Sequence, residues 1–315
     1  MTANNNSTSS LCNGIKIEHC SIGDPTNPPV LLIRGYSESM VTWAPFDEKI
    51  ANCGFHVIKF DNRDMGLTQR FDNIIASDGG EPTFAYTIND MADDAVAVLD
   101  HYGISKAHVI GSSMGGLITQ VVGTRHPERC ITLTLIMTSY NLRAATGAAA
   151  AKQENKAFFA KLDKFKYLKE GISLEEHINN CLILHEIIGV DPVYPQLSKE
   201  NRETIKQNAT VEYERNGIDY ESAGSDRQML AINAFDGLEA EAHIRRLESI
   251  QIPTVVLHGL YDSLIPVEMG RQLASKIPAC RIVEYVGNHY YGNHPDVFNF
   301  IINAITDHIS RYSKP

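Results

Sequence analysis

Residues Gly111-Ser112-Ser113-Met114-Gly115 follow the pattern G-x-S-x-G. Such a pattern serves nucleophilic attack by a serine hydroxyl held on a sharp strand-to-helix turn. The flanks supply that context. Residues 107–110 are a short apolar run that reads as a buried strand, and residues 117–124 read as a helix. Glycines two positions either side of the serine make steric sense, because side chains there would collide with neighbouring chain. The frame also separates the two adjacent serines. With Ser112 as nucleophile the earlier glycine would have to be Ile110, so Ser113 is the candidate.

A serine hydroxyl is a weak nucleophile at neutral pH. It needs a base, and the base needs an orienting carboxylate. After an elbow of this type the chain order is serine, acid, histidine. Residues 258–266 begin at the end of an apolar strand, and Asp262 stands in the loop just beyond it. An aspartate in a polar loop is most often a turn or cap residue. Its place at the carboxyl end of a strand, in the right order, makes Asp262 the candidate acid. His289 leaves the last strand directly, and His294 follows five residues later. His289 is the better-placed base, while His294, ahead of Pro295-Asp296, reads as a helix-start residue. His258 reads as structural, held at its strand end.

Attack on a carbonyl puts negative charge on its oxygen, which calls for N–H donors. The Met114 N–H is one candidate. The second is expected in the loop after residues 30–33, where Gly35 permits an unusual turn and the Tyr36 N–H is the candidate. Gly35, Met40 and Trp43 are candidates for a substrate-facing surface, with core packing the competing reading for Met40 and Trp43. This chemistry requires no metal or organic cofactor.

A frame must hold these groups. Residues 15–22 read as a first strand, followed by strands at 30–33, 56–60, 107–110, 131–137, 254–258 and 281–285. Helices are expected over about 42–52 and 296–312, and over a stripe formed by Ile88, Met91, Ala92, Ala95, Leu99 and Tyr102. Alternating strands and helices imply an α/β protein with a mostly parallel sheet covered on both faces. Over 140–247 the rhythm changes to charged helical patterns, as at 152–169 and 174–186. A structureless loop of that length is improbable. The stretch reads as a helical cap inserted between core segments 11–139 and 248–315. Its Phe158, Phe159, Phe165, Tyr167, Leu182, Ile183, Leu184, Ile187 and Tyr194 suit both packing within the cap and contact with a bulky apolar ligand. Residues 1–10 read as a disordered leader, without the basic start or apolar centre of a signal peptide.

Composition narrows the partners. A chain of 315 residues, 43% of them hydrophobic, can fill one large core plus an insertion. A net charge of -10 argues against nucleic acid and anionic membranes as partners. No apolar stretch approaches the roughly 18 residues of a membrane span. Cys12, Cys20, Cys53, Cys130, Cys181 and Cys280 show no paired spacing. That favours reduced thiols in a cytoplasmic protein over a disulfide frame or a metal site.

The chain resembles the α/β-hydrolase superfamily along nearly its whole length. Within it, the likeness is to esterases of the aclacinomycin-methylesterase type, which act on polyketide antibiotics and have relatives that open macrolide lactones. The likeness rests on Phe60-Asp61-Asn62-Arg63-Asp64-Met65-Gly66-Leu67-Thr68, on Asn89-Asp90-Met91-Ala92-Asp93-Asp94-Ala95, and on residues 109–116 with His126-Pro127-Glu128-Arg129. Arg227-Gln228-Met229 and residues 258–266 extend it. The resemblance implies an α/β-hydrolase fold with Ser113 as nucleophile, Asp262 as acid and His289 as base. It also implies that Asp61 and Arg63 form a structural pair buttressing the site loops. Two positions depart from the pattern. Arg34 stands where many relatives carry His, and Val286-Gly287-Asn288 precedes His289 where a small or apolar residue usually lies between two glycines.

The expected activity is serine ester hydrolysis of a bulky apolar small-molecule ester or lactone, such as a macrolide or another polyketide. Competing readings are a generalist carboxylesterase, and a carbon–carbon bond hydrolase or acyltransferase on the same three residues. From another class comes a ligand receptor. Ser113 speaks against the dehalogenase and epoxide-hydrolase branches, which place a carboxylate there. The oligomeric state is left open.

Overall fold

The continuous apolar runs form the middle of one eight-stranded sheet. In the computed structural model the described residues are 7–72, 84–164, 172–216, 223–278, 280–292 and 294–313. Their strands are β1 (Thr8–Cys12), β2 (Ile15–Ile22), β3 (Pro29–Ile33), β4 (His56–Phe60), β5 (Ala107–Ser112), β6 (Cys130–Ile136), β7 (Thr254–Gly259) and β8 (Cys280–Tyr285). The order across the sheet is β1-β2-β4-β3-β5-β6-β7-β8. β2 pairs antiparallel with β1 and with β4, and every other pairing is parallel. Parallel strands carry crossover helices on both faces, which accounts for runs such as Val30, Leu31, Leu32 and Ile33 being wholly buried.

The helices are α1 (Phe46–Asn52), α2 (Ile88–His101), α3 (Met114–Arg125), α4 (Leu142–Ala151), α5 (Lys156–Lys164), α6 (Leu174–Ile188), α7 (Lys199–Asn216), α8 (Ala223–Leu238), α9 (Ala240–Leu247), α10 (Val267–Lys276) and α11 (Pro295–Ser310). α2 begins at a capping box. The Thr87 hydroxyl accepts the Asp90 N–H, and the Asp90 carboxylate accepts the Thr87 N–H. Its stripe Ile88, Met91, Ala92, Ala95 and Leu99 is buried as the spacing requires, and Tyr102 caps its end. Among the described residues between β6 and β7 there are only helices, α4 to α9 and one 3-10 turn. Two of them, α6 and α7, close a small apolar cluster with Cys181, Leu197, Ile205 and Ala209. No helix of the described residues is long and apolar enough to cross a membrane.

The N-terminal reading changes. Thr8, Ser9 and Ser10 belong to a strand rather than to a disordered leader, so β1 precedes the strand expected to be first. The reason is local. Asn13 and Gly14 have φ of 49° and 76°, the two left-handed residues of a tight hairpin turn. That turn folds β1 back on β2, from Cys12 opposite Ile15 to Thr8 opposite His19. Residues 1–6 lie outside the described residues, as do Phe165 and Tyr167 of the expected apolar set. α1 starts at Phe46 and not near residue 42, because Met40–Trp43 forms a 3-10 turn and Pro45 opens the helix.

Candidate active site

The turn from β5 into α3 is built on steric necessity. Ser113 has φ 53° and ψ −119°, a backbone conformation strained for any residue with a side chain. A Cβ on Gly111 would strike the Gly115 carbonyl, and one on Gly115 would strike the Ile33 carbonyl of β3. The glycines therefore let the elbow close against the neighbouring strand. The Ser113 N–H donates to the Ile136 carbonyl, and the Thr138 hydroxyl donates to the Ser113 carbonyl. Ser113 itself is partly exposed, whereas Ser112 is buried with no partner for its hydroxyl among the described residues.

Asp262 lies beyond β7 and His289 beyond β8. The His289 Nε2 is 3.1 Å from the Ser113 Oγ, and its Nδ1 is 2.8 Å from the Asp262 Oδ2. Three groups separated by up to 176 residues thus form one hydrogen-bonded chain. The Asp262 side chain is fully buried, and its Oδ1 accepts the Leu264 and Ile265 N–H groups at 3.0 and 2.7 Å. Burial alone would raise the Asp262 carboxyl. The facing His289 and His258 imidazoles outweigh it and hold the group well below the usual carboxylate range. An ionised carboxylate only accepts, so the network assigns Nδ1–H of His289 as donor to Asp262. Nε2 is then free to accept the Ser113 hydroxyl proton.

Neighbouring residues fix this geometry. Asn288 accepts the Ser263 and His289 N–H groups at 2.9 and 2.8 Å and donates to the Val190 carbonyl. This departure from the usual glycine pattern ties the histidine loop to the aspartate loop. His258 bonds the Ile265 carbonyl at 2.8 Å, holding the strand end as expected. His294 accepts the Asp296 N–H at 3.2 Å as the N-cap of α11 and stacks on Tyr194.

The loop after β3 lies against Ser113. A side chain built at Gly35 would meet the Ser113 Cβ at 3.3 Å and the Glu38 Oε2 at 2.8 Å. Tyr36 follows at once, and Met114, wholly buried, opens α3. Arg34 takes the place of the usual histidine. It is buried, bonds Glu38, the Tyr291 hydroxyl and Thr42, and lies over the Trp43 ring. Trp43 is wholly buried in the core with Phe46, so it packs rather than lines a cleft, and Met40 is buried likewise. Their apolar bulk is used beneath the loop.

Asp61 and Arg63 do not pair with each other. Arg215 of α7 bonds Asp61 at 2.6 Å, and Asp61 also accepts the Met40 and Leu67 N–H groups. Arg63 instead forks onto Asp94 of α2. The two side chains buttress two different contacts, one to α7 and one to α2.

Two residues at the loop after β3 were not among the candidates read from the sequence. Glu38 sits beside Gly35, where burial raises its carboxyl against the lowering effect of Arg34. Gln228 of α8, fully buried, accepts the Ser37 N–H and donates to the Arg63 carbonyl. Its place in the Arg-Gln-Met likeness was the only available signal.

A model of the α/β hydrolase fold family matches residues 28–290. The chain belongs to that family. Among curated proteins, this α/β hydrolase is 27% identical over 278 residues to the rhodomycin D methylesterase DauP of Streptomyces sp. strain C5, covering 84% of this chain and 85% of the relative. It is 25% identical over 275 residues to the rhodomycin D methylesterase DnrP of Streptomyces peucetius, with the same coverage. The resemblance to methylesterases read from its motifs therefore stands. Among solved structures, the hydrolase superposes on the enol-lactonase from Burkholderia xenovorans LB400 with a TM-score of 0.66 at 18% identity, covering 96% of this chain and 100% of that one.

Proposed function

We propose that this chain is a serine ester hydrolase acting on a bulky apolar ester or lactone. The observation that carries the reading is the hydrogen-bonded chain from Ser113 through His289 to Asp262 at the carboxyl ends of β5, β8 and β7. Open parallel sheets place their chemistry at those ends. The relatives' names, methylesterases, point to the same reaction class.

In this reading His289 takes the Ser113 proton through Nε2 as the oxygen attacks the ester carbonyl. Asp262 keeps the imidazole in the needed tautomer and stabilises the imidazolium. The Met114 and Tyr36 N–H groups receive the oxyanion. His289 then returns the proton to the leaving alcohol, and activates a water that frees the acid. Every group in these steps comes from the chain or from solvent. The negative charge of Glu38 near the developing oxyanion is balanced by Arg34, 2.8 Å away.

The helices α4 to α9 act as the cap over this site. Gln228 and Ser225 of α8 reach the loop after β3, and Glu212 of α7 bonds Ser39 of the same loop. The cap thereby forms the wall that sorts substrates. A wall of this kind over a triad can favour a bulky polyketide methyl ester or a macrolide lactone over a short acyl ester.

The test is turnover of an anthracycline methyl ester, a macrolide lactone and p-nitrophenyl acetate, read by mass. A methyl ester splits into acid and methanol, while a lactone gains one water without losing a fragment. Preference in kcat/KM for either bulky substrate supports the proposal. Equal or better turnover of the acetate makes the protein a generalist esterase, and binding without turnover makes it a receptor.

A further inference from the structure

A second set of reactive side chains lies at the edge of the sheet, with β4 and β3 between it and the strand that carries Ser113. Cys12 ends β1, His19 lies on β2, and His101 is the last residue of α2. Each offers one donor atom, and these atoms lie within 4.8 Å of one another. His101 is far from the other two in the chain, and the spacing of the cysteines gave no hint of a metal site.

Two features distinguish this set from an ordinary polar cluster. The His19 ring is wholly buried, its Nδ1 is 2.9 Å from the Tyr102 hydroxyl, and its Nε2 has no partner among the described residues. A buried imidazole nitrogen left unpaired costs free energy that native structures rarely leave unmet. The second feature is access. Cys12 is buried, but His101 is exposed, so the set opens to solvent on one side. The other convergent set, His177, Cys181 and Glu212, differs on both counts. It is buried throughout, and both Glu212 oxygens are engaged, one by the Ser39 hydroxyl and one by His177.

We propose that Cys12, His19 and His101 bind a zinc-type divalent cation. One thiolate and two imidazoles are the donor set such ions favour, and three protein ligands leave a fourth position for water. With its Nδ1–H given to the Tyr102 hydroxyl, His19 offers the Nε2 lone pair to the metal. A hydrogen bond of this kind fixes both tautomer and ring orientation in metal sites. On binding, the Cys12 thiol releases its proton to solvent and a sulfur–metal bond forms. The ion would tie the β1–β2 hairpin to the end of α2, a structural role separate from ester chemistry.

The experiment uses the full-length protein, stripped with chelator and titrated with zinc chloride against a chromophoric competitor. The proposal expects one equivalent bound and a rise in Tm with zinc. Cobalt(II) in its place should show a thiolate-to-cobalt charge-transfer band in the near ultraviolet. Cys12→Ser and His101→Ala should each weaken binding by roughly 100-fold or more. Tyr102→Phe should weaken it by about 10–100-fold. His101 is exposed, so its variant keeps the fold and the test stays decisive if the Cys12 variant misfolds. Cys181→Ser should bind as the parent does. Failure to bind one equivalent, absence of the cobalt band, or a His101→Ala variant with parental affinity overturns the proposal. So does loss of binding in Cys181→Ser with binding kept in Cys12→Ser, which would put the ion on the other cluster.

Discussion

The Gln228 carboxamide oxygen accepts the Ser37 N–H at 3.0 Å, across 191 residues of chain. Ser37 has φ 59°, a left-handed conformation that a residue with a side chain holds only when its surroundings impose it. The same carboxamide donates to the Arg63 carbonyl at 2.9 Å. One buried side chain of the helical segment therefore shapes the backbone next to Tyr36. Gln228→Ala should lower kcat by roughly 10–100-fold while KM moves about twofold or less, because a misplaced donor weakens only the transition state. Steady-state kinetics on a p-nitrophenyl ester would show it. An unchanged kcat would mean that other contacts suffice to hold the loop.

Ser113→Ala should abolish ester hydrolysis by roughly 10⁴-fold or more without loss of fold. Ser112 is buried with no partner for its hydroxyl among the described residues, so Ser112→Ala should leave kcat within about threefold of the parent. Parallel activity and circular-dichroism measurements on the two variants decide the matter. An inactive Ser112→Ala beside an active Ser113→Ala would move the nucleophile.

The two histidines near the last strand should separate cleanly. His289→Ala should match Ser113→Ala in severity, since base and nucleophile act as one unit. His294 caps α11 through the Asp296 N–H, so His294→Ala should keep its activity and lose about 1 kcal/mol of stability. Urea denaturation and rate assays on both variants test this, and a stable, inactive His294→Ala would refute the assignment.

Asp236 of α8 gives the molecule a pH-dependent weakness. Burial raises its carboxyl to about 6, although the Arg143 and Leu142 N–H groups pull it down. The native state then binds this proton more tightly than the unfolded chain, whose carboxyl titrates near 3.8. Stability contributed by the protonated acid is present at low pH and is lost as pH rises through the folded value. Asp236→Asn, neutral at every pH, should stabilise the protein by roughly 1–2 kcal/mol near pH 7.5 and by well under 1 kcal/mol near pH 4. Tm values of both proteins at the two pH values provide the check. A difference that grows toward acid would contradict the sign.

The convergence of Ser113, Asp262 and His289 was legible because each follows a local rule. The elbow needs glycines at 111 and 115 to let strands approach, and the aspartate and histidine follow apolar runs in a set order. Strand and helix identity followed from the same local physics. Apolar runs mark strands buried on both faces, and the stripe of α2 marks one covered face. The missed strand β1 was also locally encoded, in Asn13-Gly14, but its polar residues hid it.

What only the tertiary structure decided is who faces whom. Asp61 and Arg63 stand two residues apart, yet one meets Arg215 and the other Asp94. Trp43 went to the core, Glu38 came to lie beside Gly35 and Ser113, and Gln228 reached the loop after β3. Cys12, His19 and His101 converged from two strands and a helix end. Periodicity and glycine sterics act over a few residues and leave a trace in the chain. Pairing between distant polar groups is set by how packed elements are turned against one another. It depends on the whole core, and no short stretch of sequence records it.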